Sequence, residues 1–244
     1  MKIKGKTALI TGGAHRVGKA MTLALAQNGA NVVVNYHSSA AAALDTAAEA
    51  EALGVGALAI QCDVSDPVQV ENMVSTAANQ FGGVEILINS ASWFHKTPFP
   101  MDDFSDWHRV FDILIHGSMY CANYVAPLMK KRGEGAIINI VDASAWRPSR
   151  GFAAHSVGKA GLLAFTRQLA LELAPEVRVN AVSPGPVLPP PDYSEAQNKR
   201  VAARTLLKRW GTPEDVVNAM LFLVQADYIT GEFITVDGGE QHGY

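Results

Sequence analysis

Lys6-Thr7-Ala8-Leu9-Ile10-Thr11-Gly12-Gly13-Ala14-His15-Arg16-Val17-Gly18 joins a short β-branched and apolar run to a glycine-containing turn and then to the start of an amphipathic helix. A strand that ends in such a turn aims backbone N–H groups and the positive end of a helix dipole at one point, as a dinucleotide pyrophosphate requires. The spacing is loose: Gly12 and Gly18 stand six apart, Gly13 follows the first, and Arg16 occupies a place where a third glycine is expected. A ligand-free βα turn has the same outline, because every doubly wound sheet contains such turns, so spacing alone leaves both readings open.

Outward from this turn the same alternation continues. Asn31-Val32-Val33-Val34-Asn35-Tyr36 is almost continuously apolar, as a parallel strand covered on both faces must be, and His37-Ser38-Ser39 follows at its carboxyl end. An alanine-rich helix over 40–53, ended by Gly54, leads to a strand at 56–61. Ser65 or Asp66 then caps a helix begun by Pro67, and a strand follows at 85–89. The order βαβαβαβ predicts an α/β fold: a single doubly wound parallel sheet of Rossmann type with helices on both faces.

Beyond Asn89, a polar and aromatic loop over 90–100 stands where open sheets bind ligands. A helical region over 102–132, with a break near Gly117, leads to a strand over 135–142 that ends at Asp142. Residues 152–173 form a helix with His155 and Lys159 on one face. A strand over 177–182 precedes a stretch, 183–198, with five prolines, which reads as part of an irregular lid near 185–205; Asp192 is an alternative helix start within it. A helix at 213–224 and a strand at 233–236 complete one domain spanning 1–244.

Composition narrows the function classes. With 244 residues, 48% hydrophobic and 18% charged, the chain supplies one well-filled core. The net charge of −3, and a longest basic run of only Lys130-Lys131-Arg132, argue against nucleic acid or a membrane surface as partner. Cys62 and Cys121, far apart in apolar surroundings, read as buried thiols, and His95 and His116 lack partners at zinc spacing, so no metal is expected. No run approaches a membrane span, which leads us to expect a soluble, cytoplasmic protein.

Four features together carry a resemblance: the first turn, the loop at Asn89, the helix with His155 and Lys159, and the ending Tyr228-Ile229-Thr230-Gly231-Glu232-Phe233-Ile234-Thr235-Val236-Asp237-Gly238-Gly239. With Val179-Asn180-Ala181-Val182-Ser183-Pro184-Gly185 added, the chain resembles the short-chain dehydrogenase/reductase superfamily over its whole length. Within it the sequence is similar to pteridine and dihydromonapterin reductases. Those carry an arginine at the position of Arg16, a loop like Asn89-Ser90-Ala91-Ser92-Trp93-Phe94, and an aspartate at the position of Asp142, thirteen before the usual tyrosine.

The resemblance implies NADP(H) as cofactor. Gly12, Arg16, Val17 and Gly18 match the pyrophosphate turn, and His15, Arg16, His37, Ser38 and Ser39 the 2′-phosphate site. No carboxylate ends the second strand, where an NAD-specific chain binds the ribose hydroxyls. Asp63 and Val64 match the adenine contacts, and Asn89 and Ala91 the strand end beside the ribose. Pro184, Gly185 and Val187 match the nicotinamide flank, and Lys159 the ribose contact. For substrate, the resemblance places Phe94 over a planar ring; we expect Ser92 and Arg16 at the ring's edge and Trp93 and Trp146 at the mouth. It also implies a homotetramer paired through the helices before Arg132 and after Phe152.

The departures fall on the catalytic positions. The usual tyrosine is His155, and Phe111-Asp112-Ile113-Leu114-Ile115-His116-Gly117 has leucine where an asparagine is usual, so of the polar quartet only Lys159 is unchanged. A phenol, with a reference pKa of about 10, needs a lysine to lower it, whereas an imidazole at about 6.5 does not. His155 can therefore replace the tyrosine as donor if Asp142 lies close, while Lys159 acts against the cation by like charge. A ring C=N has a basic nitrogen of its own, so Asp142 and His155 offer it two acids.

The leading expectation is an NADPH-dependent reductase of a pterin-like or cyclic imine substrate, with Asp142 and His155 handling the proton and Lys159 orienting cofactor and donor. The alternatives are a carbonyl or 3-oxoacyl reductase using His155 in place of tyrosine, and a catalytically silent NADP-binding protein. In a silent site, His155 is a packing residue and Asp142 a cap on the loop after its strand.

Overall fold

A computed structural model describes residues 1–243; Tyr244 lies outside the described residues. Seven parallel strands form one sheet: β1 (Thr7–Ile10), β2 (Asn31–Tyr36), β3 (Ala57–Gln61), β4 (Ile86–Asn89), β5 (Gly135–Ile140), β6 (Val177–Pro184) and β7 (Phe233–Val236). Their spatial order is β3-β2-β1-β4-β5-β6-β7. The order reverses between β1 and β4, whose registers pair Ile10 with Ile88, and that reversal opens a crevice at the carboxyl ends of the strands.

Alternate residues of each strand supply the two faces. Ile10, Val34 and Ile88 point to one side, where α1 (Arg16–Gln27) packs with α2 (Ala40–Ala52) and α8 (Pro213–Gln225). Leu9, Val33, Leu87 and Ile137 point to the other, against α3 (Pro67–Phe81), α5 (Ser118–Arg132) and the end of α6 (Ala153–Leu173). The inner strands β1, β2, β4 and β5 are buried on both faces, as their apolar runs require, while the edge strands β3 and β7 are half-buried.

Local chemistry sets the ends. Asp66, not Ser65, caps α3 by accepting from the N–H groups of Val68 and Gln69, and Gly82 closes the helix at φ +84°. The helix expected from 102 starts at Ser105 (α4, Ser105–Phe111), because Asp103 folds back to accept from the Ser105 N–H and hydroxyl. Near Gly117 there is no break. Asp112–Gly117 is a π-helical turn that continues into α5, and Gly117 lets it approach Val64, whose Cγ2 would stand 2.7 Å from a Cβ there. The proline-rich stretch gives way to α7 (Glu195–Arg204), started by a capping box between Ser194 and Gln197.

Among the described residues, no helix is long and apolar enough to cross a membrane, no acidic, histidine or cysteine cluster could hold a metal, and Cys62 and Cys121 are free and buried.

Candidate active site

The carboxyl ends of β1, β2 and β4 open into a cleft of about 670 Å³. The turn after β1 forms its floor. Gly12 has φ +64°, and a Cβ there would stand 3.2 Å from Ala91 Cα; a Cβ on Gly18 would collide with the Gly12 carbonyl oxygen. Arg16 adopts φ +54°, a left-handed conformation that costs an L-residue about 1–2 kcal/mol, which is why a glycine is the expected occupant. Its guanidinium reaches across to the Leu188 carbonyl at 3.2 Å. His15 caps α1 without a side-chain hydrogen bond, so the first N–H groups of the helix remain available to an anion.

This groove fits a dinucleotide. His15, Arg16, Val17 and Gly18 line it on one side, and His37, Ser38 and Ser39 line it at the end of β2, where no carboxylate stands. Asp63, Val64 and Ala91 complete the expected wall. Asn89 does not join them: its side chain is buried in the sheet and donates to Asn139 Oδ1 at 2.9 Å.

A second cleft of about 730 Å³ shares Arg16, Val17, Ser90 and Ser92 with the first. Asp142, at the end of β5, and His155 and Lys159, on consecutive turns of α6, line its inner wall beside Pro184, Gly185 and Val187. His155 Nε2 stands 2.7 Å from Asp142 Oδ2, and the other oxygen accepts from the Ser144 N–H at 2.9 Å and from the Ser144 hydroxyl. Asp142 is thus both a cap on the turn over Ala143–Ala145 and the partner of the histidine.

Burial alone would raise the Asp142 carboxyl, but the His155 hydrogen bond and the positive charge of Lys159 outweigh it and hold the group well below the usual carboxylate range. This corrects the expectation of two acids: at neutral pH Asp142 is a carboxylate and only accepts. His155 Nε2 therefore carries the hydrogen of their bond, and Nδ1, buried without a hydrogen-bond partner, is the remaining proton site. Lys159 is also buried and donates to the Ile140 carbonyl at 2.7 Å. Burial lowers its ammonium below the ordinary lysine value, against the pull of Asp142.

Phe94 stacks on Phe152 at 4.3 Å, meets His155 edge-on at 4.8 Å, and is 65% exposed on the cleft wall. Trp93 stacks on His95 and faces the first cleft rather than the second. Trp146 is on neither wall. It packs against Phe233 of β7 with its ring N–H buried, because the turn after Asp142 directs it back over the sheet edge. Leu114, at the place of the expected asparagine, is fully buried with Val110 and Ala154.

Three groups escaped the sequence reading. Ser144 holds Asp142, Arg109 binds Asp63, and Glu240 accepts from Arg204 Nε at 2.8 Å while its carbonyl accepts from Arg147 at 2.5 Å. The Arg109–Asp63, Arg204–Glu240 and Arg147–Glu240 pairings join residues remote in sequence and carry no local signal, whereas Ser144, two residues after Asp142, has the spacing of an Asx turn.

Residues 12–241 match the family model described as enoyl-(acyl carrier protein) reductase. The chain is 37% identical over 242 residues to a 3-oxoacyl-[acyl-carrier-protein] reductase of Synechocystis sp., covering 97% of each. Among solved structures it is similar to FolM alternative dihydrofolate reductase 1 from Brucella canis complexed with NADP, at TM-score 0.93 and 28% identity over 100% of this chain and 96% of that one. It is also similar to a 7α-hydroxysteroid dehydrogenase complexed with NADH and 7-oxo glycochenodeoxycholic acid, at TM-score 0.92 and 30% identity over 98% of this chain and 95% of that one.

The chain belongs to the short-chain dehydrogenase/reductase superfamily. It is an oxidoreductase of that type with NADP(H) as its cofactor. The likeness to pteridine reductases narrows no further, since the relatives span acyl-carrier, steroid and dihydrofolate reductions.

Proposed function

We propose that the protein is an NADPH-dependent carbonyl reductase in which His155 takes the place of the usual tyrosine as proton donor. The observation that carries this reading is the 2.7 Å contact from His155 Nε2 to Asp142, on the inner wall of the cleft that also holds Lys159. When bound, the cofactor supplies a hydride. As the carbonyl oxygen gains charge, it would take a ring proton from His155, and the ring would recover that proton from solvent. Asp142 orients the His155 ring, and Lys159 orients the ribose. The likeness to 3-oxoacyl-carrier and hydroxysteroid enzymes supports a ketone as substrate.

A second reading, reduction of a pterin-like or cyclic imine ring, draws on the exposed Phe94 face and the similarity to the Brucella FolM structure. Stacking on Phe94 would be worth about 0.5–1.5 kcal/mol beyond area burial. Steady-state NADPH oxidation across ketone, acyl thioester and dihydropterin panels, with Phe94→Ala beside the parent, separates the two. Ketone turnover that Phe94→Ala barely changes supports the carbonyl reading. Turnover confined to dihydropterin and lost in Phe94→Ala moves the assignment to the ring. Saturable NADPH binding without turnover on any panel identifies a silent binder.

We also expect a homotetramer. Exposed apolar side chains on the two helices concerned, Met119 on α5 and Val157 and Leu171 on α6, support it, and light scattering tests it.

A further inference from the structure

Arg109 stands on the wall of the cofactor cleft, from α4, at a place no motif announces. Its guanidinium spans to the connection between β3 and α3. Nη2 donates to Asp63 Oδ2 at 2.8 Å, and Nη1 donates to Ser65 Oγ at 2.5 Å and, more distantly, to Asp63 Oδ1 at 3.4 Å. Asp63 Oδ1 also accepts from the Ser65 N–H at 3.0 Å and the Ser65 hydroxyl at 2.7 Å.

A carboxylate offers about four acceptor positions, two on each oxygen. Ser65 fills both on Oδ1. On Oδ2, Arg109 fills one, and the other near group, His37 Nε2, stays at 3.7 Å, beyond hydrogen-bonding distance. One acceptor position is left, on Oδ2, and Asp63 lines the cleft. Burial would raise the Asp63 carboxyl, but the bonds from Ser65 and Arg109 prevail and keep it ionised, hence acceptor-only.

We propose that Arg109 is a positioning residue for the cofactor's purine: it fixes the Asp63 carboxylate so that its one free acceptor position meets an exocyclic amine, which selects a 6-aminopurine over a 6-oxopurine. The inference rests on reading Asp63 as the adenine-end contact. Without the guanidinium, the carboxylate is held through Oδ1 alone, and its terminal torsion, which is broad for an aspartate, lets Oδ2 turn away. A 6-oxopurine sets a carbonyl oxygen against the carboxylate, where neither group can donate.

The test is equilibrium binding to the full chain of NADPH and of its hypoxanthine counterpart, followed by reduced-nicotinamide fluorescence. The proteins are the parent, Arg109→Leu, Arg109→Lys, Asp63→Ala, and Asp63→Ala with Arg109→Leu. The parent should bind NADPH at least about tenfold more tightly than the hypoxanthine analogue. Arg109→Leu should weaken NADPH about tenfold while sparing the analogue, so that the ratio collapses. Arg109→Lys, which keeps charge but not the fork, should fall between. In the Asp63→Ala background, Arg109→Leu should cost nothing further.

A parent-like ratio in both Arg109 variants, with the ratio lost in Asp63→Ala, overturns the role of Arg109. Additive losses in the double variant overturn the coupling. A parent or Asp63→Ala protein that shows no change in base preference removes the underlying reading of Asp63 instead, and the two failures are thereby distinguished.

Discussion

Leu114 fills the space over Gly158: a Cβ built on Gly158 would lie 2.9 Å from Leu114 Cδ1. Gly158 directly precedes Lys159, so an apolar side chain stands where the superfamily resemblance predicts an asparagine amide. Lys159 finds its backbone partner at Ile140 instead.

This packing makes a stability prediction. Leu114→Asn places an amide among Val110, Ala154 and the Trp107 and Phe111 rings, and should cost about 2–4 kcal/mol in urea unfolding. Gly158→Ala should cost about 1–3 kcal/mol by overpacking, and Leu114→Met less than about 1.5 kcal/mol.

Asp142 makes stability depend on acid. Its carboxyl lies well below the ordinary range in the folded protein, so the unfolded chain takes up the proton first as pH falls. Its contribution is whole above the unfolded value, about 3.9, and is lost as pH falls from there toward the depressed folded value. Asp142→Asn should therefore unfold more readily than the parent at pH 7, with a difference that narrows below about pH 4. Urea midpoints at pH 3, 5 and 7 check this, and a constant difference would refute it.

The first turn should tolerate no side chain at Gly18. Gly18→Ala drives a methyl against the Gly12 carbonyl and must open the turn, weakening NADPH at least about tenfold by fluorescence titration. Unchanged affinity would mean that the turn is not the cofactor's seat.

Arg204 ties α7 to the turn after β7 through Glu240, which is largely buried on the cleft wall. Arg204→Ala should cost under about 1 kcal/mol of global stability, because the guanidinium is half exposed, yet speed limited proteolysis within 185–205. Equal cleavage rates would argue against a lid held by this pair.

How far these features could be read in advance depends on how local they are. The strand, turn and helix at 7–27 are legible because every signal lies within a few residues, and the Val32-Val33-Val34 run announces a doubly covered strand. The candidate dyad was reachable only through the resemblance, which assigns Asp142 and His155 to one site. That Asp142 is an acceptor depends on His155 and Lys159 closing around it. Arg109 and Asp63 lie forty-six positions apart on different elements, and no local pattern joins them. Trp146 was misdirected because the order of residues in a loop does not reveal which side of the sheet edge a ring takes.

The most direct test of the central claim is a stopped-flow trace of NADPH fluorescence on mixing with the best ketone from the panel, for the parent and His155→Ala. A rapid fall is expected in the parent, slowed by about 10²–10⁴-fold in the variant, the usual worth of a positioned general acid, with NADPH affinity unchanged. Equal rates in the two proteins would contradict it, and so would NADPH binding with no oxidation in the parent.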